Sequence, residues 1–149
     1  MYQNILIPTD GSKLSEKAIG QGVSLAKALG AKITFVTVRH PFYALRGQPQ
    51  MVIYMPDEYK KYLSDYVAAE AAKRLAAAKS IAERGGISCE TVDVGNDHVY
   101  EGILDTAADR GCDLIVMASH GRSGISAIVL GSETVKVLTH STLPVLVCR

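Results

Sequence analysis

The amino-acid sequence predicts an α/β domain of three layers, a doubly wound parallel sheet with helices on both faces. Strand-like runs alternate with single helix-length segments from one end of the chain to the other. One of those runs, Leu114-Ile115-Val116-Met117, is apolar at every position, the pattern of a strand covered on both sides. At 149 residues, 48% hydrophobic and 21% charged, the chain suits one domain with a core of its own. Strands joined through single helices require right-handed crossovers, and these place the helices on both faces of a parallel sheet. Residues 1–149 therefore read as a single domain, without an internal repeat, low-complexity tract or linker.

The elements follow in order. Asn4 to Thr9 is the first strand, and Ser12 to Leu29 a helix with Leu14, Ala18, Gly22, Leu25 and Leu29 on one face and Gly30 as its stop. The β-branched run Lys32 to Val38 is the second strand, followed by an irregular stretch from Arg39 to Met55 that carries Pro41, Gly47 and Pro49. A long helix begins at Pro56, a good first-turn residue, and runs through Tyr59, Leu63, Tyr66, Val67, Ala71, Leu75, Ala78 and Ala82 to Gly85-Gly86. Its tyrosine stripe, Tyr59, Tyr62 and Tyr66, is expected to cover the sheet with hydroxyls reaching solvent.

Ser88 to Val94 is the third strand, and Asp97 to Arg110 a helix with Val99, Ile103 and Ala107 inward and Gly111 at its end. Asp113 to Met117, a helix from Ser132 to His140, and Pro144 to Cys148 complete a β-α-β-α-β-α-β-α-β order.

Composition excludes several function classes. A formal charge of +1 with interspersed signs provides no basic field for a nucleic-acid backbone. Three cysteines, Cys89, Cys112 and Cys148, are odd in number and lack C-x-x-C spacing, so they read as reduced core residues. The amino-terminal apolar run is too short for a signal peptide, and no stretch approaches the ~18 apolar residues of a membrane span. A soluble, cytoplasmic protein without membrane insertion is expected.

The stretch from Asp113 to Ser132 carries the chemistry. Its apolar strand runs into Ala118-Ser119-His120-Gly121, and nine residues later comes Gly131-Ser132. Ligands of open parallel sheets collect beyond the carboxyl ends of the strands, and glycines there let backbone N–H groups approach an anion closely. Ser132, followed by Glu133-Thr134-Val135, is the expected N-cap of the last helix, whose positive end favours a phosphate.

Asn4-Ile5-Leu6-Ile7-Pro8-Thr9-Asp10-Gly11-Ser12, the segment from Asp113 to Arg122, Leu130-Gly131-Ser132 and Pro144-Val145-Leu146-Val147 together resemble the universal stress protein family, in its ATP-binding branch. The resemblance spans the whole chain. It implies a Rossmann-like sheet of the adenine nucleotide alpha hydrolase-like kind, with five strands in the order 3-2-1-4-5, and often a dimer. The family's nucleotide pattern is Gly, two residues, Gly, nine residues, Gly, then Ser or Thr. Its later positions fall on Gly121, Gly131 and Ser132, whereas its first falls on Ala118. An added methyl in a packed site costs about 1–3 kcal/mol against roughly 8 for micromolar binding, so the substitution need not abolish binding.

By the same resemblance, Asp10 accepts hydrogen bonds from the ribose or the adenine edge. Pro8, Thr9 and Val38 line the adenine pocket, with Val38 offering backbone contacts, while Met117 and Ala118 lie under the ribose. The backbone of His120, Gly121, Gly131, Ser132 and Glu133 holds the phosphates of ATP, ADP or AMP, Arg122 reaches for a terminal phosphate, and Mg2+ bridges phosphate oxygens.

Each motif also has a plainer reading. Asp10-Gly11-Ser12 is what any strand-to-helix turn uses, the two glycines serve as loop and cap, and Arg122 serves as a solvated loop residue. His120 has no acidic or nucleophilic partner at a helpful spacing, and His40, His98 and His140 lack metal-ligand spacing. No G-x-x-x-x-G-K-S/T, third dinucleotide glycine after Gly20-Gln21-Gly22, or G-x-S-x-G is present. No catalytic residue and no protein metal site is assigned. The last strand, apolar from Leu143 to Cys148, is an edge in the family order, and its pairing with a second copy predicts a homodimer through residues 144–148. The expected function is nucleotide-dependent regulation of a protein partner, with at most slow hydrolysis. The alternatives are a nucleotide-free dimeric scaffold and a weak ATPase or self-phosphorylating protein using Ser132 or Ser126.

Overall fold

The computed structural model describes residues 1–40, 54–121 and 130–149. Among the described residues, nine elements follow the predicted alternation: β1 Asn4–Pro8, α1 Lys13–Leu29, β2 Lys32–Arg39, α2 Asp57–Arg84, β3 Cys89–Gly95, α3 Val99–Asp109, β4 Leu114–Ala118, α4 Ser132–His140 and β5 Val145–Cys148. The strands form one sheet in the order β3-β2-β1-β4-β5, with every neighbouring pair parallel. Starting from β1, the chain builds outward to β3 on one side and returns to build β4 and β5 on the other. The strand order therefore reverses between β1 and β4.

Alternation along the strands divides the core in two. Ile5, Ile7, Ile33, Phe35 and Val116 face α1 and α2, where they meet Ala18, Ile19, Val23, Leu75, Ala78 and Ala82. Leu6, Val36, Ile115 and Met117 face the opposite layer and meet Ile103, Ala107 and Val137 of α3 and α4. Gly22 is where α1 comes closest to the sheet, since a Cβ there would collide with the Ile7 side chain. Cys112 and Cys148 are buried, Cys89 is half-buried, and all three are free. Burial raises each thiol pKa above its ordinary value, with Glu83 adding to the effect at Cys89. Among the described residues no helix is long and apolar enough to cross a membrane.

Three expectations are corrected. The buried face of α1 is Ser15, Ala18, Ile19, Gly22, Val23 and Ala26, rotated from the predicted stripe, which leaves Leu29 at the exposed end. Small residues win that face because α1 lies close to the sheet. Pro56 is the N-cap of α2 and not its first helical residue. The tyrosines do not cover the sheet: only Ala71, Leu75, Ala78 and Ala82 of α2 are buried, and Tyr59, Tyr62 and Tyr66 are each more than half exposed. They fall on nearly the opposite helical face from that buried stripe. The irregular stretch after Arg39 lies, from 41 to 53, outside the described residues.

Candidate functional site at the strand-order reversal

The carboxyl ends of β1 and β4 carry Thr9-Asp10-Gly11 and Ser119-His120-Gly121, so the two glycine-containing turns arise side by side. Thr9 N–H still donates to Val36 O at 2.8 Å, and its hydroxyl is shared with Ser15 Oγ at 2.7 Å, which anchors the turn to α1. Gly11 then takes φ 76°, a left-handed conformation that a side chain would strain. Ser12 N-caps α1, accepting from Ser15 N–H at 3.1 Å.

Asp10 is split between two tasks. Its Oδ1 accepts from Ser12 N–H at 2.9 Å, which closes the turn. Its Oδ2 lies 2.9 Å from the point a Cβ on Gly121 would occupy, so the carboxylate spans the reversal point and touches the β4 loop.

The β4 side closes on itself in the same way. Gly131 N–H donates to Ser119 O at 2.7 Å, and a Cβ on Gly131 would stand 3.2 Å from His120 Cα and 3.3 Å from Ser119 O. Buried Thr134 donates its hydroxyl to Ala118 O at 3.0 Å and approaches Ser119 O at 3.2 Å, tying α4 to the end of β4. His120 Nδ1 lies 2.9 Å from Ser119 Oγ, and its Nε2 is buried without a hydrogen-bond partner among the described residues.

The N-cap of α4 is Gly131 and not Ser132, which becomes the first helical residue, so the N-cap itself offers no side-chain cap bond. The positive dipole end of α4 thus stands beside Gly121, with the Gly131 N–H held by Ser119 O. Such a helix start favours an anion. The carboxylate of Glu133 turns outward, accepting from Tyr100 N–H at 3.0 Å and pairing with Lys136 at 3.1 Å.

Val38 enters through strand register. Lys32 N–H donates to Gln3 O and Thr9 N–H to Val36 O on the β1 side of β2, whereas Ile33 N–H and Arg39 O pair toward β3. Alternation therefore aims the Val38 N–H and C=O toward β1, two residues beyond the last β1 pairing at Pro8 and Val36. The Val38 side chain packs the other way, onto α3: a Cβ on Gly102 would lie 2.9 and 3.0 Å from its two methyls.

Pro8 is half-buried at the strand end, Met117 is buried in the core under α3 and α4, and the Ala118 methyl belongs to the core under α1 and α2. Of the predicted residues, the structure brings Thr9, Asp10, His120, Gly121, Gly131 and the start of α4 at Ser132 and Glu133 into one continuous series of contacts. Arg122 and Ser126 lie outside the described residues. Ser15, Thr134 and Gly102 shape this site without a motif of their own. Among the described residues no group of three or more His, Cys, Asp or Glu side chains could hold a metal ion.

The model of the universal stress protein family matches residues 1–149. The chain belongs to that family. Universal stress protein YxiE of Bacillus subtilis is 33% identical over 149 residues, covering all of both chains. The solved structure of MJ0577, a universal stress protein of Methanocaldococcus jannaschii, superposes with a TM-score of 0.81 at 28% identity, covering 99% of this chain and 96% of that one. A universal stress protein from Archaeoglobus fulgidus, solved in complex with dAMP, shares the fold at a TM-score of 0.71 and 20% identity, covering 99% and 98% of the two chains. The strand order 3-2-1-4-5 that the family resemblance implies is the order observed.

Proposed function

We propose that this universal stress protein binds an adenine nucleotide at the strand-order reversal and works in the cytoplasm as a nucleotide-dependent regulator or adaptor. One observation carries the reading: the Asp10 carboxylate reaches Gly121, and Gly131, at the start of α4, packs against the same β4 loop. A Cβ at Gly121 would meet the Asp10 carboxylate and one at Gly131 the backbone of Ser119 and His120, so glycine at both places lets the two turns and the start of α4 close on one another where a strand-end ligand would sit.

The phosphates of ATP fit the backbone N–H groups of His120, Gly121, Ser132 and Glu133, the Gly131 N–H being committed to Ser119 O. The base fits the edge of Val38 beside Pro8 and Thr9, the backbone at the end of β4, Met117 and Ala118, underlies the ribose, and Asp10 takes a donor on sugar or base. Mg2+ supplies charge neutralisation and is held by phosphate oxygens and water. The complex of an Archaeoglobus relative with dAMP supports the adenine reading. The Ala118 methyl, packed in the core under α1 and α2, is accommodated.

The chain is further proposed to form a homodimer through residues 144–148. β5 ends the sheet, Leu146 on it is 44% exposed, and α4, which leads into it, exposes Val135 and Leu138.

Calorimetric titration with Mg-ATP, ADP and AMP tests the reading. Saturable heat with a rise in melting temperature is expected, together with phosphate release barely above buffer. No heat and no stabilisation at millimolar nucleotide overturns it and leaves a nucleotide-free scaffold.

A further inference from the structure

The side chain of Glu133 is a cap for a helix other than its own. It stands in the first turn of α4, yet its Oε2 accepts the N–H of Tyr100, in the first turn of α3, at 3.0 Å. The N-cap of α3, His98, makes no side-chain cap bond, so Glu133 supplies from outside the acceptor that this helix start lacks. Glu133 Oε1 is neutralised by Lys136 at 3.1 Å. The Tyr100 ring lies along the same stripe of α4, stacked on His140 at 5.1 Å between centroids, with Lys136 Nζ 5.6 Å from its own centroid.

We propose that Glu133 is a positioning residue for the nucleotide site: by clamping the first turn of α4 to the first turn of α3, it sets where the Ser132 and Glu133 amides stand. The physical case is one of direction and charge. A carboxylate beside a phosphate cradle would repel the ligand, but here it is turned outward and held between a helix dipole and an ammonium group. The two helices also define the two walls of the site: α3 packs on Val38 through Gly102, and α4 starts at Gly131. The clamp thus holds the base side and the phosphate side at a constant separation. This inference rests on the nucleotide reading for its consequence and on the Tyr100 bond for its geometry.

The test uses Glu133→Ala and Glu133→Gln, with Tyr100→Phe as control, because the bond uses the Tyr100 backbone and not its hydroxyl. Mg-ATP affinity is expected to weaken about tenfold in Glu133→Ala and to return within about threefold of wild type in Glu133→Gln, which keeps the acceptor. Tyr100→Phe should leave it unchanged. Unaltered or tighter binding by Glu133→Ala, or equal losses in both variants, overturns the proposal. Hydrogen exchange of the nucleotide-free protein gives a separate readout should wild type not bind. Faster exchange at the Tyr100 amide and across residues 132–134 in Glu133→Ala, absent in Glu133→Gln, supports the clamp. Identical exchange in wild type and Glu133→Ala overturns it.

Discussion

Asp10 Oδ2 and Gly121 are in contact across the strand-order reversal, with 2.9 Å between the oxygen and the point a Cβ on Gly121 would occupy. The residue ending the first strand's turn and the residue ending the fourth strand's turn therefore form one surface. Gly121→Ala pushes the carboxylate aside while its other oxygen still holds Ser12 N–H. Nucleotide affinity measured by calorimetry should fall at least about tenfold with little loss of stability. Combined with Asp10→Ala, the losses should be smaller than their sum, since residues in contact are coupled by about 0.5–3 kcal/mol.

Gly131→Ala tests the second close approach. Its φ of −61° suits any residue, so the whole penalty comes from a Cβ set 3.2 Å from His120 Cα and 3.3 Å from Ser119 O, both backbone atoms. Urea unfolding should show a loss of about 1–3 kcal/mol. An unchanged midpoint would mean that α4 slides freely on the β4 loop.

Gly102→Ala should separate α3 from β2, because the added methyl meets both methyls of Val38 at 2.9 and 3.0 Å. A loss of about 1–3 kcal/mol is expected, and a second change, Val38→Ala, should restore part of it by making room. Additive losses would show that the two side chains do not share a contact.

Val147→Pro tests the dimer. Pro144 O and Cys148 O accept from β4, so Val147, of opposite parity, aims its N–H away from the sheet. Proline is tolerated on such an edge but removes that donor. Sedimentation velocity should show a dimer for wild type and a folded monomer for the variant; a wild-type monomer at micromolar concentration defeats the dimer.

The buried thiols predict an alkaline effect. The unfolded chain ionises Cys112 and Cys148 near the ordinary value of 9.0, whereas burial raises both pKa values in the fold. A raised native pKa contributes stability that is intact below pH 9 and is lost as pH rises through the native values. Stability should decline above pH 9, and Cys112→Ala should decline less steeply. Parallel slopes would count against burial of that thiol.

Much of the candidate site was legible because its signals are local. Asp10-Gly11-Ser12 and Gly121 lie at strand ends that hydrophobic pattern and turn residues already mark, and their type alone says that close backbone approach is possible there. Thr134 and Gly102 were not legible: each matters through an atom more than a dozen residues away, Ala118 O in one case and the Val38 methyls in the other. The cap of α4 was misassigned to Ser132 because a hydroxyl is the favoured cap, whereas room beside His120 requires that place to be Gly131. Aromatic spacing at 59, 62 and 66 reads as a core stripe, yet these tyrosines of α2 are exposed. The stripe of small residues from Ala71 to Ala82 packs more closely and takes that face.

The sequence by itself determined the alternation of strands and helices, the parallel sheet they form and the strand ends at which the glycine turns stand, because periodicity and glycine placement act over a few residues. Only the tertiary structure decided which helix face is inward, that Asp10 touches Gly121, and that Glu133 caps α3 in place of facing a phosphate. Those outcomes depend on distances between segments far apart in the chain, which packing sets and no local preference encodes.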